Sequence, residues 1–224
     1  MKGKKVEKFK ERGFTLTELL VAVALVGIVM AGIYSTYASQ QKSYITQDQV
    51  AAMQQNLRAA MYYMGREIRM AGCDPTGDAN ARILNAGPAT FSFTLDITDT
   101  AGTGEPDGDT SDANENITYL LYDPDGDGIT DLGRDTGGGN QLVAENIDAL
   151  DFVYLDANGT ITATLSDIRS VQVTLVARTG RGDPGYTNTT VYQNQQGTTI
   201  YTALGDNNRR RLLTTLIRCR NLGF

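Results

Sequence analysis

The chain has 224 residues, 41% of them hydrophobic, enough for one membrane helix and one globular domain of ordinary size. Its 20 Lys and Arg against 26 Asp and Glu count against a nucleic-acid partner, since phosphate binding is driven by basic surface. The complete absence of His removes the commonest general base and the commonest imidazole metal ligand, which counts against an enzyme.

The basic residues are unevenly placed. Lys2, Lys4, Lys5, Lys8, Lys10 and Arg12 precede an apolar run, with only Glu7 and Glu11 opposing them, and beyond Glu18 no charge recurs until Lys42. A basic head before an uncharged apolar run directs the N-terminus to a membrane and leaves the head in the cytoplasm. Phe14 to Tyr34 supplies about the ~20 residues needed to span a bilayer. A secretory signal cut after Thr36-Tyr37-Ala38 fits less well, because the apolar run exceeds the ~7–15 residues of such a core. Glu18 stands out, since a carboxylate inside a membrane helix costs on the order of 3 kcal/mol and calls for a partner.

The residues Gly13-Phe14-Thr15-Leu16-Thr17-Glu18-Leu19-Leu20 closely resemble the class III signal of type IV pilins and type II secretion pseudopilins. The resemblance implies cleavage by a prepilin peptidase between Gly13 and Phe14, N-methylation of Phe14, and retention of the apolar run. It also implies that the Glu18 carboxylate pairs with the free amino group of Phe14 in a neighbouring subunit as helices stack in a filament. Removing the leader's six basic and two acidic residues leaves 14 against 24, a net charge of −10.

From Tyr34 to Ala71 there is no proline and only Gly65 as a breaker. Val50, Met53, Leu57, Ala60, Met61, Met64, Ile68 and Ala71 follow the spacing of one helical face, with Gln55, Arg58, Arg66 and Arg69 opposite. One continuous helix is therefore expected from about Phe14 to Ala71, on the order of 85 Å at ~1.5 Å per residue. Gly27 and Gly32 permit close helix approach within the membrane run. Many pilins carry a proline along this helix; none occurs here before Pro75. Gly72-Cys73-Asp74-Pro75 ends the helix.

Beyond it, Phe91, Phe93, Leu95 and Ile97 alternate with Ser92, Thr94 and Asp96, the clearest period-2 signal in the chain. Further strands are expected over residues 117–122, 150–155, 160–165, 170–177, 189–192 and 198–204, with a hairpin turn at Asn158-Gly159. Leu212 to Cys219 fits a strand or a short helix, and Thr214 and Thr215 favour the strand. Residues 98–116, rich in Gly, Asp, Thr and Glu, read as a loop with little to bury.

Two patterns carry chemistry. Cys73 and Cys219 lie in a domain exported to an oxidising compartment, where an even cysteine count favours a disulfide that would tie the C-terminal end to the helix end; the alternative is two buried free thiols. Asp123, Asp125 and Asp127 precede Gly128 as in the first half of a calcium loop, with Asp131 placed for a further ligand. Arg134 stands where a bidentate acid is required, leaving Asp135 one place late, so a solvated acidic turn explains the same residues. Calcium is the one cofactor the sequence could hold, and none is required. Gly137-Gly138-Gly139 lacks the residues of a phosphate loop, Arg181-Gly182-Asp183 is an accidental spelling, and Arg209-Arg210-Arg211 reads as a solvated face or a contact to a neighbouring subunit.

More narrowly, Arg69-Met70-Ala71-Gly72-Cys73, the Asp-rich turn, Ala144-Glu145-Asn146-Ile147 leading into Phe152-Val153-Tyr154-Leu155-Asp156, and Arg218-Cys219-Arg220-Asn221 look like the PilW group of minor pilins. This resemblance implies a low-copy subunit that helps initiate type IV pilus assembly. Its partners would be major and minor pilins, the prepilin peptidase and the inner-membrane assembly machinery. It would sit in the inner membrane as a single-pass protein with a periplasmic C-terminal domain, and afterwards in the pilus at the cell surface. The expected fold is α+β, a long N-terminal helix packed on a C-terminal antiparallel β-sheet domain. Its parts are a leader (1–13), a membrane and filament-core helix (14–34), an amphipathic continuation (35–72) and a β-rich domain (73–224). The alternatives are a GspJ-like minor pseudopilin of type II secretion and a membrane-tethered calcium-binding or adhesive domain that never polymerises.

Overall fold

The computed structural model of the protein describes residues 13–223; residues 1–12, which hold nearly all of the expected leader 1–13, and residue 224 lie outside them. The chain divides into two units, one ending at Gln47 and one beginning at Asp48. One helix, α1 (Leu16–Met70), supplies most of the first unit and the opening element of the second.

In the first unit, α1 starts at a reciprocal cap. The Thr15 backbone N–H and hydroxyl both donate to Glu18 Oε2 at 2.9 Å, and the Glu18 N–H returns a bond to Thr15 Oγ1 at 3.2 Å. Every residue from 13 to 37 is exposed, although the run contains an 18-residue window apolar enough to cross a bilayer.

In the second unit, α1 buries Met53, Leu57, Ala60, Met61, Met64 and Ile68, the face that the sequence spacing marks out, while Gln55, Arg58, Arg66 and Arg69 stay exposed. Gly72 stops the helix with a φ of +76° and gives its N–H to the Thr94 carbonyl at 2.9 Å. The positive φ favours Gly there, and an added Cβ would also have to displace the Leu222 side chain.

The remainder is antiparallel. A five-stranded meander runs β1 (Ile83–Ala86), β2 (Phe91–Thr94), β3 (Asn116–Tyr122), β4 (Asp131–Asp135) and β5 (Asn140–Ala144) in sequence order. A second sheet has β7 (Ser170–Arg178) between β6 (Ile147–Leu155) and β10 (Arg210–Arg218), and β8 (Val191–Gln193) pairs with β9 (Thr199–Thr202) as a separate hairpin. Phe91 joins the two larger sheets, its ring centroid lying 5.6 Å from Phe152 and 5.5 Å from Tyr154 of β6. With Leu57, Met64 and Ile68 from the helix, these rings form one core. The architecture is α+β, a long helix packed on antiparallel sheets.

The structure differs from the sequence reading in three respects. The strand expected over 160–165 is a single bridge, Leu155 to Ile161, followed by a 3-10 turn at Leu165–Asp167. Asp156 Oδ1 takes the N–H groups of Asn158 and Thr160, and residues 157–161 are exposed, so local side-chain bonds win where no burial rewards pairing. The period-2 strand ends at Thr94, and Asp96, placed by alternation on the solvent side, is fully buried. β1, β4 and β5 were not anticipated; β4, Asp-Leu-Gly-Arg-Asp, offers one large apolar residue to a pattern reading.

Candidate functional site

The residues singled out by the sequence fall at separate places in the structure. Gly13 and Phe14 precede the helix, with Phe14 92% exposed. Glu18 occupies the third position of the cap just described, a role the sequence reading missed although Thr15-x-x-Glu18 spells a capping box. One Glu18 oxygen is thus engaged locally, and the carboxylate remains exposed to an incoming partner.

The Asp-rich turn joins β3 to β4. Asp123, Asp125 and Asp127 each bring one carboxylate oxygen within 4.8 Å of the others, all three side chains being exposed. Asp123 is already committed on both oxygens, taking the N–H of Gly126 at 2.8 Å and of Gly128 at 3.0 Å, and these bonds hold its carboxyl below the usual carboxylate range. Asp131 is not part of this convergence: it opens β4 and accepts the Asn146 N–H at 2.8 Å.

Cys73 and Cys219 are free thiols rather than the expected disulfide. Both pack against the same hydrophobic core, where an unionised thiol is a small apolar side chain. Burial pushes the Cys219 thiol up to about 12. The tether that the bridge would supply comes from hydrogen bonds instead: the Arg220 N–H reaches the Arg69 carbonyl at 3.1 Å and Asn221 Nδ2 the Met70 carbonyl at 3.2 Å.

Two buried polar centres were not foreseen. Glu67, on the helix face that enters the core, receives Arg134 Nε at 3.0–3.1 Å on both oxygens and the Tyr119 hydroxyl at 2.5 Å. Arg134, which interrupts the calcium-loop pattern, therefore joins β4 to α1. Burial first, and the Glu67 charge next, push the Tyr119 hydroxyl far above its ordinary range. The sequence signal was present, because Glu67 lies three and seven residues beyond Met64 and Ala60, inside the apolar stripe. The second centre corrects the reading of the Arg run. Arg210 is buried, contacts Asp148 and Asp206 at 2.5 Å, and lies 4.8 Å from the Tyr201 ring centroid. Arg209 pairs with Asp183 at 2.7 Å and covers Tyr186, while Arg211 remains exposed. The Arg181-Gly182-Asp183 aspartate is thus engaged within the chain.

Residues 8–34 match the family described as the prokaryotic N-terminal methylation motif, and residues 134–221 match the type IV pilus-assembly protein W family. No curated protein matches the chain. Among solved structures, it is similar to a type IV-like pilin from Thermus thermophilus at 16% identity, with a TM-score of 0.48, over 75% of this chain and 96% of that one. The chain thus carries two separate regions of family similarity, one to the N-terminal methylation motif and one to the type IV pilus-assembly protein W family.

Proposed function

We propose that this protein is a minor pilin of a type IV pilus, cut between Gly13 and Phe14, N-methylated on Phe14, and used to help initiate pilus assembly. The observation that carries the reading is the N-terminal methylation motif coinciding with an apolar helix whose every side chain from 13 to 37 is exposed. An apolar surface of that extent needs a bilayer before assembly and other helices after it. The match to the pilus-assembly W family supports a pilus over a secretion apparatus. In this reading the basic leader keeps the N-terminus cytoplasmic, and the unit from Asp48 lies in the periplasm of the inner membrane until the assembly machinery extracts the subunit. Glu18 then pairs with the free amino group of a neighbouring Phe14, an opposite charge that makes the carboxylate tolerable among apolar helices.

Glu18 has two separable roles, cap and charge. Glu18→Gln keeps the capping box, which accepts Gln as well as Glu, and removes the charge. The expected result is a processed protein that accumulates in the membrane and is missing from sheared pili. Incorporation of Glu18→Gln at the wild-type level, with loss only in Glu18→Ala, would reduce Glu18 to a helix cap and remove the pairing from the proposal.

A further inference from the structure

Residues 98–116 read as a polar loop with little to bury and Asp96 as the polar side of a strand, yet the segment joining β2 to β3 contains two completely buried carboxylates. Asp96 and Glu115 are both 0% exposed. Glu115 is fully used: one oxygen takes the N–H of Ile97 at 2.8 Å and of Thr98 at 3.0 Å, and the other takes that of Asp112 at 3.2 Å. Asp96 is not. Its Oδ2 accepts the Thr76 hydroxyl at 3.0 Å and the Gly108 N–H at 3.2 Å, while its buried Oδ1 has no hydrogen-bond partner, and Oδ2 of Asp112 is buried in the same condition.

The Gly108 bond sets the Asp96 carboxylate against the turn that carries a second acidic group. Asp107, Asp109 and Asp112 each place a carboxylate oxygen within 4.8 Å of the other two. Two oxygens on opposite sides of one calcium ion, each at ~2.4 Å, lie up to ~4.8 Å apart. The carboxylates are oriented beforehand: Asp109 Oδ1 takes the N–H and hydroxyl of Ser111, both at 2.8 Å, and Asp107 Oδ1 takes the Asp109 N–H at 3.3 Å. None of the ion pairs among the described residues involves these four aspartates. Asp107 and Asp109 are exposed, whereas Asp96 Oδ1 and Asp112 Oδ2 are buried, and with no cationic side chain paired to them the charge on these two oxygens is met neither by water nor by the protein.

We propose that Asp107, Asp109 and Asp112, backed by Asp96, bind a hard divalent cation, calcium by its chemistry, which fastens the β2–β3 loop to the domain. All the donors are carboxylate oxygens, which suit a hard cation and not a soft one. A loop-borne cluster fits the adaptable coordination of calcium better than the strict octahedron of magnesium. The Asp123 turn makes the informative contrast. It shows the same spacing of oxygens, but Asp123 is bonded on both oxygens by backbone N–H groups, Asp127 takes the Ile129 N–H, and none of its carboxylate oxygens is buried without a partner. The inference does not rest on the filament reading.

The test is calcium titration of the full-length protein in detergent, after chelator treatment, by calorimetry and by hydrogen exchange. The account expects one saturable calcium per chain, with Kd on the order of 10⁻³ M or tighter, and slower exchange over residues 98–114. The double variant Asp107→Asn, Asp109→Asn, at two exposed positions, should weaken binding about tenfold or more, whereas Asp125→Asn, Asp127→Asn should change it less than about twofold. Melting in chelator controls for folding of the variants, and exchange on the wild-type chain locates the ion without any variant. Lack of saturable binding at concentrations on the order of 10 mM, or protection and loss of binding that track residues 123–131 instead, would overturn the proposal.

Discussion

Two stretches of the same helix handle apolar side chains in opposite ways. From Leu16 to Tyr37, α1 is apolar around its circumference and leaves every residue exposed, whereas from Met53 to Ile68 it has one stripe and buries it in its own domain. The second stretch has a partner within the chain: Leu57, Met64 and Ile68 meet the aromatic and β-branched residues of the sheets, and Glu67 meets Arg134 and Tyr119. The first has no such partner among the described residues, and its only charge is a glutamate at the helix start. The contrast teaches that one helix can be stabilised by its own domain over part of its length and leave an apolar surface uncovered over the rest.

The largest effect should come from the polar contact within the buried stretch. Glu67→Ala leaves the Arg134 guanidinium buried without its counter-charge, and such losses cost roughly 3–5 kcal/mol. Denaturant unfolding of the globular unit should show it, and adding Arg134→Met should recover part of the loss; a Glu67→Ala variant as stable as wild type would break the claim that this pair joins helix to sheet. Next, Met64→Ala should cost about 2–5 kcal/mol, while Leu20→Ala, on the exposed stretch, should move the same transition by less than ~0.5 kcal/mol. Equal effects from the two would erase the distinction between the stretches.

Acid should act on the second unit through the Arg210 centre. The hydrogen bond from Arg210 holds the Asp206 carboxyl below its ordinary 3.8. A depressed carboxylate contributes stability that is complete above its ordinary value and is lost as pH falls through the lowered one. The stability gap between wild type and Asp206→Asn should therefore be full at pH 6 and close below about pH 3.8. A gap independent of pH would show that packing alone, and not the ion pair, fixes this corner. The smallest effect is chemical: Cys73, half-buried, should react with iodoacetamide faster than Cys219, whose thiol burial pushes up to about 12. Slow, equal labelling of both, restored by reductant, would reveal a bridge in the isolated protein.

Much of this was legible because it followed from periodicity. The spacing of Met53, Leu57, Met64 and Ile68 gave the buried face, and Phe91, Phe93 and the runs around residues 150 and 175 gave the central strands. What escaped reading depended on contacts distant in sequence. β4 is a strand because Leu132 to Asp135 find hydrogen-bonding partners on both neighbours, with Gly133 lying beneath the Tyr122 ring, and no local property of Asp-Leu-Gly-Arg-Asp announces that. Asp96 looks like the polar side of an alternating strand until the chain folds over it. The N-terminal methylation motif was legible, since Gly13, Phe14 and Glu18 fall within one short stretch of the matched residues 8–34. The acids at 107–112 were not, because their significance rests on a buried oxygen of a residue more than ten positions away.

The central claim, that the exposed stretch of α1 is an assembly element released by cleavage, is tested most directly by the N-terminal residue of the mature protein, read by mass spectrometry of membrane and sheared-surface fractions. The account predicts N-methylated Phe14 in both. A chain that still begins at Met1, or one cut near Ser39 after the apolar run, would contradict it and leave a tethered or secreted domain in place of a filament subunit.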